Sequence, residues 1–389
     1  MNFILLSTAE WSNPFWTNKQ HVAVELARLN HKVLYIDSQG IRKASGKAQD
    51  LRRIFKRLLK AFRPPYKDRG VWVWSPVPLP LRRIPFVDRL NRNLLSCGIR
   101  FWSRVLGFDA PALWTYSPLT TRQLASLRPF APVIYHCVDD IKAQPGMPAD
   151  LIEKAEQDLL RAADFVFVTS PELKTACEQH ASPIFYHPNV VDFDHFNQAT
   201  QDALRIPDDL AAIRAKGPVL GFVGAISGYK IDFDLLEYVA TRNPHLQLVL
   251  IGKVGEGDPW TDAGKLNQLE NVHLLGPRPY ELLPSYLKGF DVALLPCRLN
   301  DYTKAMFPMK FFEYLAAGIP VVSVNLNALD QYGDVAGLAK DYAEFNAMVI
   351  GYVETFPANR VRSGIELAAK NTYQTRMRKM LDCIEGAKQ

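Results

Sequence analysis

The chain has 389 residues, 48% of them hydrophobic, and carries 46 basic against 40 acidic side chains, a net charge of +6. That length predicts two domains, and the apolar content excludes an intrinsically disordered chain. Neither a membrane-spanning helix nor a signal peptide is predicted, because no apolar run is long enough and no basic segment precedes the first one. Five scattered cysteines argue against a disulfide framework, so a reducing cytosol is expected.

Short apolar strands alternate with helical stretches through the first half of the chain. The predicted strands are residues 3–6, 32–36, 71–74, 112–114, 133–137, 165–169 and 184–186. Helices are predicted at residues 19–29 and 149–162. This alternation is typical of a parallel sheet flanked by helices.

A second series of the same kind follows a polar stretch. Its strands are predicted at residues 219–223, 247–251, 272–275, 292–295 and 321–324, and its helices at 235–240, 280–287 and 310–317. The sequence thus predicts a first domain at 1–195, a linker at 196–217, a second domain at 218–370, and a C-terminal helix within 371–389 that packs back toward the first domain. Ligands of open α/β sheets lie beyond the carboxyl ends of the strands, so the cleft between the domains is the expected site.

The positive charge is concentrated in two stretches of the first domain. Residues 42–69 contain eleven basic and two acidic side chains, a net charge of +9, and residues 82–104 carry a net charge of +5. Apolar residues of the segment 51–62 recur at helical spacing and leave basic residues on the opposite face. The basic face consists of Arg52, Arg53, Lys56, Arg57, Lys60 and Arg63, of which the first five are predicted to face the membrane.

Such a basic amphipathic helix suits an anionic membrane surface. The alternative is a helix packed on its own domain with a solvated basic face. Residues 94–106 repeat the pattern, with Arg92, Arg100 and Arg104 beside apolar side chains. Nucleic acid is not an expected partner, because no aromatic platform or RNA-binding motif accompanies the charge.

The most informative stretch is FPMKFFEYLAAGIPVVS at residues 307–323. It predicts a loop, a helix ended by Gly318, and a strand. Lys310 and Glu313 lie three residues apart near the start of this helix, on one face. A helix N-terminus and a lysine attract phosphate, and a carboxylate can accept hydrogen bonds from a ribose diol. An exposed ion pair on an ordinary helix is the alternative, and the spacing alone leaves both open.

This stretch resembles the nucleotide-sugar site of GT-B glycosyltransferases, in particular a large family-4-like group of bacterial cell-surface polysaccharide enzymes. Their pattern, Pro-x-Lys-x-x-Glu-Tyr-Leu-Ala-x-Gly-x-Pro-Val-Val-Ser, matches almost completely over sixteen positions from Pro308. The resemblance implies an α/β fold of GT-B architecture, with two Rossmann-like α/β/α domains facing each other across a cleft. It also implies that Glu313 binds the ribose and that Lys310 lies near the diphosphate. Met309 matches the Met-Lys pair of related membrane-bound glucuronosyltransferases of xanthan synthesis, so it joins the predicted donor site.

Further segments are similar to the same family. Residues 221–227 resemble the first strand and glycine loop of the donor domain, and Lys230 stands six residues after Gly224, where many relatives carry a lysine facing the diphosphate. A solvated loop lysine is the alternative. One position departs from the pattern: many retaining members have a glutamate eight residues before the one that matches Glu313, and here Ala305 stands there. The retaining or inverting course is therefore open.

A candidate catalytic base follows the predicted strand 133–137. Two carboxylates, Asp139 and Asp140, stand at its carboxyl end, and similar enzymes carry Tyr-x-x-x-Asp-Asp here. Glycosyl transfer requires the acceptor hydroxyl to lose a proton, which a positioned aspartate can accept. Asp139 is preferred because the related inverting group has its single aspartate at that position. His136 is interpreted as structural, and a turn-capping role for Asp140 is the alternative.

Several other enzyme classes are excluded by missing motifs. The chain lacks a dinucleotide-binding Gly-x-Gly-x-x-Gly after its first strand, a phosphate-binding P-loop, a Gly-x-Ser-x-Gly elbow and His-Glu-x-x-His. An Asp-x-Asp triplet at 192–194 falls in the predicted linker and is not assigned to a metal. Because Lys230, Lys310 and a helix N-terminus can stabilise a leaving diphosphate, neither metal nor cofactor is expected.

The resulting hypothesis is a metal-independent glycosyltransferase of bacterial polysaccharide biosynthesis. Its donor is a nucleoside diphosphate sugar, with uridine as the commonest base among relatives. Its expected acceptor is a polyprenyl-diphosphate-linked glycan, reached by peripheral attachment to the inner face of the cytoplasmic membrane. Two alternatives stay open: a sugar-nucleotide epimerase of the same fold, and a degenerate, non-catalytic membrane-bound partner protein.

Overall fold

The structure is a computed structural model that describes residues 1–13, 16–38, 64–76, 85–122, 124, 132–181, 183–258 and 260–386. The chain forms two compact units. The first comprises Met1–His187 together with Met380–Gln389, and the second comprises Pro188–Lys379. Both units are α/β, as the alternation of strands and helices predicts.

The first unit is built on an eight-stranded sheet in the order β3-β4-β2-β1-β5-β6-β7-β8. All neighbouring strands are parallel except β3 and β4, which are antiparallel. Most of the strands are apolar runs buried on both faces, which is typical of parallel sheets covered by helices. The strands are β1 (Asn2–Leu6), β2 (Lys32–Ile36), β3 (Tyr66–Asp68), β4 (Val71–Trp74), β5 (Ala112–Thr115), β6 (Val133–Cys137), β7 (Phe165–Val168) and β8 (Ile184–Tyr186).

Helices connect these strands. They are α1 (Asn18–Arg28), α2 (Pro85–Val105), α3 (Ala149–Ala162) and α4 (Pro171–Glu178). Helix α2 buries Leu95 and Ile99 in a core cluster that includes Trp74. The helix predicted at residues 51–62, with the basic residues Arg52, Arg53, Lys56, Arg57 and Lys60, lies outside the described residues. Within the part of the chain that is described, no helix combines the length and apolarity needed to cross a bilayer.

The second unit contains a six-stranded, fully parallel sheet in the order β11-β10-β9-β12-β13-β14. The strand order reverses at β9, and such reversals are where open α/β sheets bind ligands. The strands are β9 (Val219–Val223), β10 (Gln247–Ile251), β11 (Val272–Leu274), β12 (Val292–Leu295), β13 (Val321–Val324) and β14 (Gly337–Ala339).

Nine helices are described from Pro188 onward. They are α5 (Phe193–Phe196), α6 (Asp208–Arg214), α7 (Phe233–Arg242), α8 (Leu283–Leu287), α9 (Asp301–Lys304), α10 (Lys310–Ala316), α11 (Tyr342–Glu354), α12 (Ala358–Lys370) and α13 (Tyr373–Gly386). Short 3-10 helices occur in both units at Pro118–Thr120, Ile141–Ala143, Asn197–Thr200, Leu266–Gln268, Tyr280–Leu282 and Asn327–Tyr332.

The predicted linker at 196–217 is part of the second unit. Phe196, Leu210 and Ile213 are buried in its core cluster. The Arg214 guanidinium lies 2.8 Å from the Asp291 carboxylate, just before β12. These three buried side chains hold the segment on the domain that follows, whereas its polar composition predicted an interdomain linker with a short helix.

Candidate functional site

Lys310 and Glu313 form an ion pair at the start of α10. The Lys310 Nζ lies 2.6 Å from Glu313 Oε2, and the Glu313 side chain is only 7% exposed. Burial raises the pKa of the Glu313 carboxyl, and the neighbouring Lys310 ammonium partly offsets that rise. The pair is therefore less exposed than a surface ion pair would be. A buried carboxylate paired with a partly exposed lysine, at the start of α10 and directly after the loop between α9 and α10, is a candidate binding site for a polar ligand.

Two residues from α5 and the turn before it contribute to the surroundings of Glu313. His195 lowers the pKa of Glu313, and Asp192 raises it. The His195 ring stacks on Tyr280 with the ring centroids 4.3 Å apart, and its Nε2 lies 3.0 Å from the Tyr280 carbonyl oxygen. Sequence analysis missed these neighbours, because it placed them before the linker, more than a hundred residues from Glu313.

Glycines line the carboxyl ends of three adjacent strands. Gly224 follows β9, and its N–H donates to the Ile251 carbonyl over 2.9 Å. The Gly252 N–H, after β10, donates to the Gly276 carbonyl over 3.0 Å. A Cβ atom on Gly252 would lie 1.7 Å from the Gly224 oxygen, so the two backbones are in direct contact. A Cβ atom on Gly224 would also lie 2.9 Å from the Phe222 ring, so neither position has room for a side chain.

Tyr314 joins helix α10 to strand β9. Its side chain is buried, and its hydroxyl oxygen accepts a hydrogen bond of 2.9 Å from the Val223 N–H. Val223 directly precedes Gly224, and Tyr314 directly follows Glu313. The hydrogen bond therefore fixes the glycine loop relative to the Lys310–Glu313 pair, two features that the sequence places some ninety residues apart.

Lys230 lies on the loop after Gly224, between two tyrosines. Its Nζ is 5.3 Å from the Tyr229 ring centroid and 5.2 Å from that of Tyr302. Two hydrogen bonds hold the backbone of this loop. The Arg298 N–H donates to the Lys230 carbonyl over 2.8 Å, and Asn300 Nδ2 donates to the Tyr229 carbonyl over 2.7 Å. Cation–π contacts orient the ammonium while leaving it able to bind an anion.

Two other positions considered in the sequence, Met309 and Ala305, lie on the loop between α9 and α10. Met309 directly precedes α10 and is half-buried. Ala305, which stands where relatives carry a glutamate, is buried at the end of α9. The methyl group of Ala305 cannot form the hydrogen bonds of a carboxylate, so the role that the glutamate has in relatives is not available at this position.

The first unit places Asp139 beside a lysine. Asp139 follows β6, and its Oδ2 lies 3.9 Å from the Nζ of Lys19, which is in the first turn of α1. The Lys19 side chain is buried and its ammonium sits 5.6 Å from the Tyr116 ring centroid, whereas Asp139 is partly exposed. Sequence analysis missed Lys19, because nothing local distinguishes it from a surface lysine.

The neighbours of Asp139 differ from it in environment. Burial raises the pKa of Asp140, and the Lys142 ammonium partly offsets the rise. His136 is fully buried, and its ring contacts those of Trp114 and Tyr116 with centroids 5.8 Å and 5.1 Å away. The structural role of His136 stays a prediction.

Most of the second unit is similar in sequence to a known protein family. Residues 217–353 match a family model described as Glycosyl transferases group 1. No curated protein matches the sequence. Among solved structures, sucrose-phosphate synthase from Thermosynechococcus elongatus is similar with a TM-score of 0.71 at 16% identity, over 99% of this chain and 98% of that one.

Two further structures are similar over almost their whole length. HepE from Anabaena, in complex with UDP-glucose, gives a TM-score of 0.69 at 15% identity over 99% of this chain and 100% of that one. The α,α-trehalose 6-phosphate synthase from Burkholderia multivorans gives 0.70 at 11% identity over 100% and 99%. The predicted resemblance is thereby confirmed: the chain has the two-domain GT-B fold, and its residues 217–353 match the group 1 glycosyltransferase family.

Proposed function

We propose that the protein is a glycosyltransferase that uses a UDP-sugar donor. The observation that carries this proposal is the ion pair between Lys310 and the buried Glu313, which lies inside the region that matches the glycosyltransferase model. The choice of uridine is supported by HepE, a structurally similar protein whose complexes contain UDP or UDP-glucose. A structure of similar fold from E. coli holds UDP-2-fluoro glucose.

Each donor-site residue has a distinct role in this proposal. The Glu313 carboxylate accepts hydrogen bonds from the ribose hydroxyls. The ammonium groups of Lys310 and Lys230 stabilise the negative charge that develops on the leaving diphosphate, which makes a metal ion unnecessary. Gly224 allows the diphosphate to approach the backbone, and Met309 packs against the donor beside Lys310.

A thermal-shift panel of UDP, GDP, ADP, dTDP and CMP tests the donor assignment. At ~100 times its dissociation constant a ligand stabilises the native state by about 2.7 kcal/mol. We expect a shift with UDP that is insensitive to EDTA and lost in Glu313→Ala. Glu237→Ala, which changes a partly exposed glutamate of the same unit, is the control and keeps the shift. A UDP shift that survives in Glu313→Ala would remove the proposed role of Glu313, and no shift with any nucleotide would contradict the function.

For the chemical step we propose Asp139 as the base that accepts the acceptor proton, with Lys19 as its positioning residue. Asp139→Asn should lower kcat by a factor of 10² or more while the UDP shift is unchanged. Asp140→Asn is the matched control and should have a smaller effect. Lys19→Met should lower kcat without changing KM for the donor, and Lys19→Arg should restore part of it. Loss of activity in Asp140→Asn alone would move the base to Asp140.

We also propose that the acceptor is a polyprenyl-diphosphate-linked glycan and that the enzyme attaches peripherally to the inner face of the cytoplasmic membrane. The support is the charge of residues 42–69, whose net value is +9. Replacing Lys56, Arg57 and Lys60 by glutamate should abolish binding to anionic liposomes. Unchanged co-sedimentation of that variant would contradict a role of this segment in docking.

A further inference from the structure

The loop that carries Lys230 is in contact with the loop that follows β10. Three hydrogen bonds join its residues 226 and 227 to residues 253–256. They run from the Ile226 N–H to the Lys253 carbonyl (3.1 Å), from the Gly255 N–H to the Ile226 carbonyl (2.9 Å) and from the Ser227 hydroxyl to the Glu256 carbonyl. The loop after β10 therefore packs directly on the segment that leads to Lys230.

A buried aspartate organises the far end of this contact. Asp258 is only 8% exposed. Its Oδ1 accepts a hydrogen bond from the Trp260 N–H over 3.2 Å, and its Oδ2 accepts one from the Thr261 hydroxyl over 2.9 Å. A carboxylate is costly to bury without hydrogen bonds, so these two donors stabilise Asp258 in its place.

The Thr261 hydroxyl connects Asp258 to the loop of Lys230. Because the hydroxyl donates its hydrogen to Asp258, its oxygen can accept a hydrogen bond, and it accepts one of 2.9 Å from the Gly228 N–H. A Cβ atom on Gly228 would lie 3.7 Å from both Asp258 Oδ2 and Thr261 Oγ1, so both groups lie against this stretch of backbone. Hydrogen bonds that end on a charged group are stronger than neutral ones, and linked bonds polarise one another. We call this chain of groups the Asp258–Thr261–Gly228 relay.

Gly228 lies inside the turn that sets the position of Lys230. The Ser227 carbonyl accepts hydrogen bonds from the N–H groups of Lys230 and Ile231, each over 2.9 Å. The first of these bonds encloses Gly228 and Tyr229. The contacts already described hold the turn at Tyr229 and Lys230, and the relay holds it at Gly228.

We propose that Thr261, oriented by Asp258, is a positioning residue for the Lys230 ammonium. Fixing the backbone at Gly228 fixes the point from which the Lys230 side chain extends. The ammonium then meets the donor diphosphate at a smaller cost in conformational entropy. The inference rests on the donor role of Lys230 proposed above and deepens it. Asp258 and Thr261 act through Lys230 and do not themselves contact the donor.

A double-mutant cycle on UDP affinity tests this role, with calorimetric titration of the wild type, Lys230→Ala, Thr261→Val and the double variant. Thr261→Val leaves the Gly228 N–H without its acceptor and should weaken UDP binding by ~10-fold or more. Asp258→Asn should also weaken it, because one acceptor oxygen becomes a donor nitrogen. In the double variant, Thr261→Val should add less than ~2-fold to the effect of Lys230→Ala, since no ammonium is left to position. Thr261→Ser keeps the hydroxyl and should restore binding.

Two comparisons distinguish positioning from a general loss of structure. Uridine, which lacks the diphosphate, should bind Thr261→Val as it binds the wild type. Thr241→Val removes an exposed threonine hydroxyl on α7 of the same unit and should leave UDP binding unchanged.

Three results would overturn the proposal. They are wild-type UDP affinity in Thr261→Val, an equal effect of Thr261→Val with and without Lys230, and loss of uridine binding together with UDP binding. Failure of the wild type to bind UDP would instead contradict the proposed function itself.

Discussion

At the scale of single residues, Glu313 combines burial with one compensating charge. A carboxylate removed from water is costly, and Lys310 supplies only part of the compensation, so the pKa of Glu313 stays above the ordinary value of 4.5. In the proposed function, ribose hydroxyls would supply further hydrogen bonds to the ionised form. The ionised Glu313 carboxylate would thus be less stable in the empty site than in the filled one, which is typical of functional carboxylates.

Glu313→Gln tests this electrostatic account without any substrate. The unfolded chain ionises this glutamate near pH 4.5, whereas the folded protein retains the proton to higher pH. The wild-type free energy of unfolding should therefore lose a contribution as pH rises from 4.5 through the folded pKa, and then level off. Glutamine does not titrate, so the variant should gain on the wild type across that window in urea unfolding. Parallel pH profiles for the two proteins would contradict it.

Contacts that are local in sequence could be predicted, and contacts between distant segments could not. The Lys310–Glu313 pair follows from a three-residue spacing on a helix, and Asp139 from its place after a predicted strand. Lys19 and His195 were missed because their partners lie more than a hundred residues away. A single sequence contains no signal for such a pairing when neither residue belongs to a motif.

At the scale of secondary structure elements, the loops after β9 and β10 lie in direct backbone contact at Gly224 and Gly252. Both Gly224 and Gly252 have φ of +156°, and a side chain on Gly252 would meet the Gly224 carbonyl. Backbone cannot move away as a flexible side chain can. The carboxyl ends of β9 and β10 can therefore approach this closely only because residue 252 is a glycine.

Gly252→Ala should destabilise the second unit by about 3 kcal/mol or more and abolish the UDP shift, because the clash separates the loops that the donor would contact. Gly333→Ala is the control: nothing lies within 4 Å of its Cβ position and its φ is −58°. That change should stay within ~0.5 kcal/mol of the wild type or stabilise slightly. Urea unfolding measures both, and equal effects would refute the steric argument.

The elements that the sequence predicted well are those with uniform burial. Strands such as β9 and β10 are continuous apolar runs, because both faces of a parallel sheet are covered. Strand β3 was missed because it is a polar, antiparallel edge strand, and β14 was missed because its sequence, Gly-Leu-Ala, contains no β-branched or aromatic residue. The polar composition of residues 196–217 predicts a linker, because three apolar side chains are too few to indicate that the segment packs on the second unit.

At the scale of the whole molecule, the first unit is built from two segments that are far apart in the sequence. The first unit ends at His187 but regains Met380–Gln389 after the entire second unit. Helix α13 therefore begins as part of one unit and ends as part of the other. Met380, Leu381 and Ile384 are buried, so this returning segment contributes apolar burial to the unit that contains it.

Ile384→Ala should consequently weaken the first unit although it lies five residues from the end of the sequence. Deleting buried methyl groups from a side chain of this size costs about 2–5 kcal/mol. We expect calorimetry to show a lower transition temperature for one unit, while the UDP shift, which reports the second unit, is retained. Asp382→Ala, on an exposed position of the same helix, should change stability by less than ~0.5 kcal/mol. If Ile384→Ala instead abolished the UDP shift and left a single unchanged transition, the segment would stabilise the second unit, and the division of the chain at Met380 would be wrong.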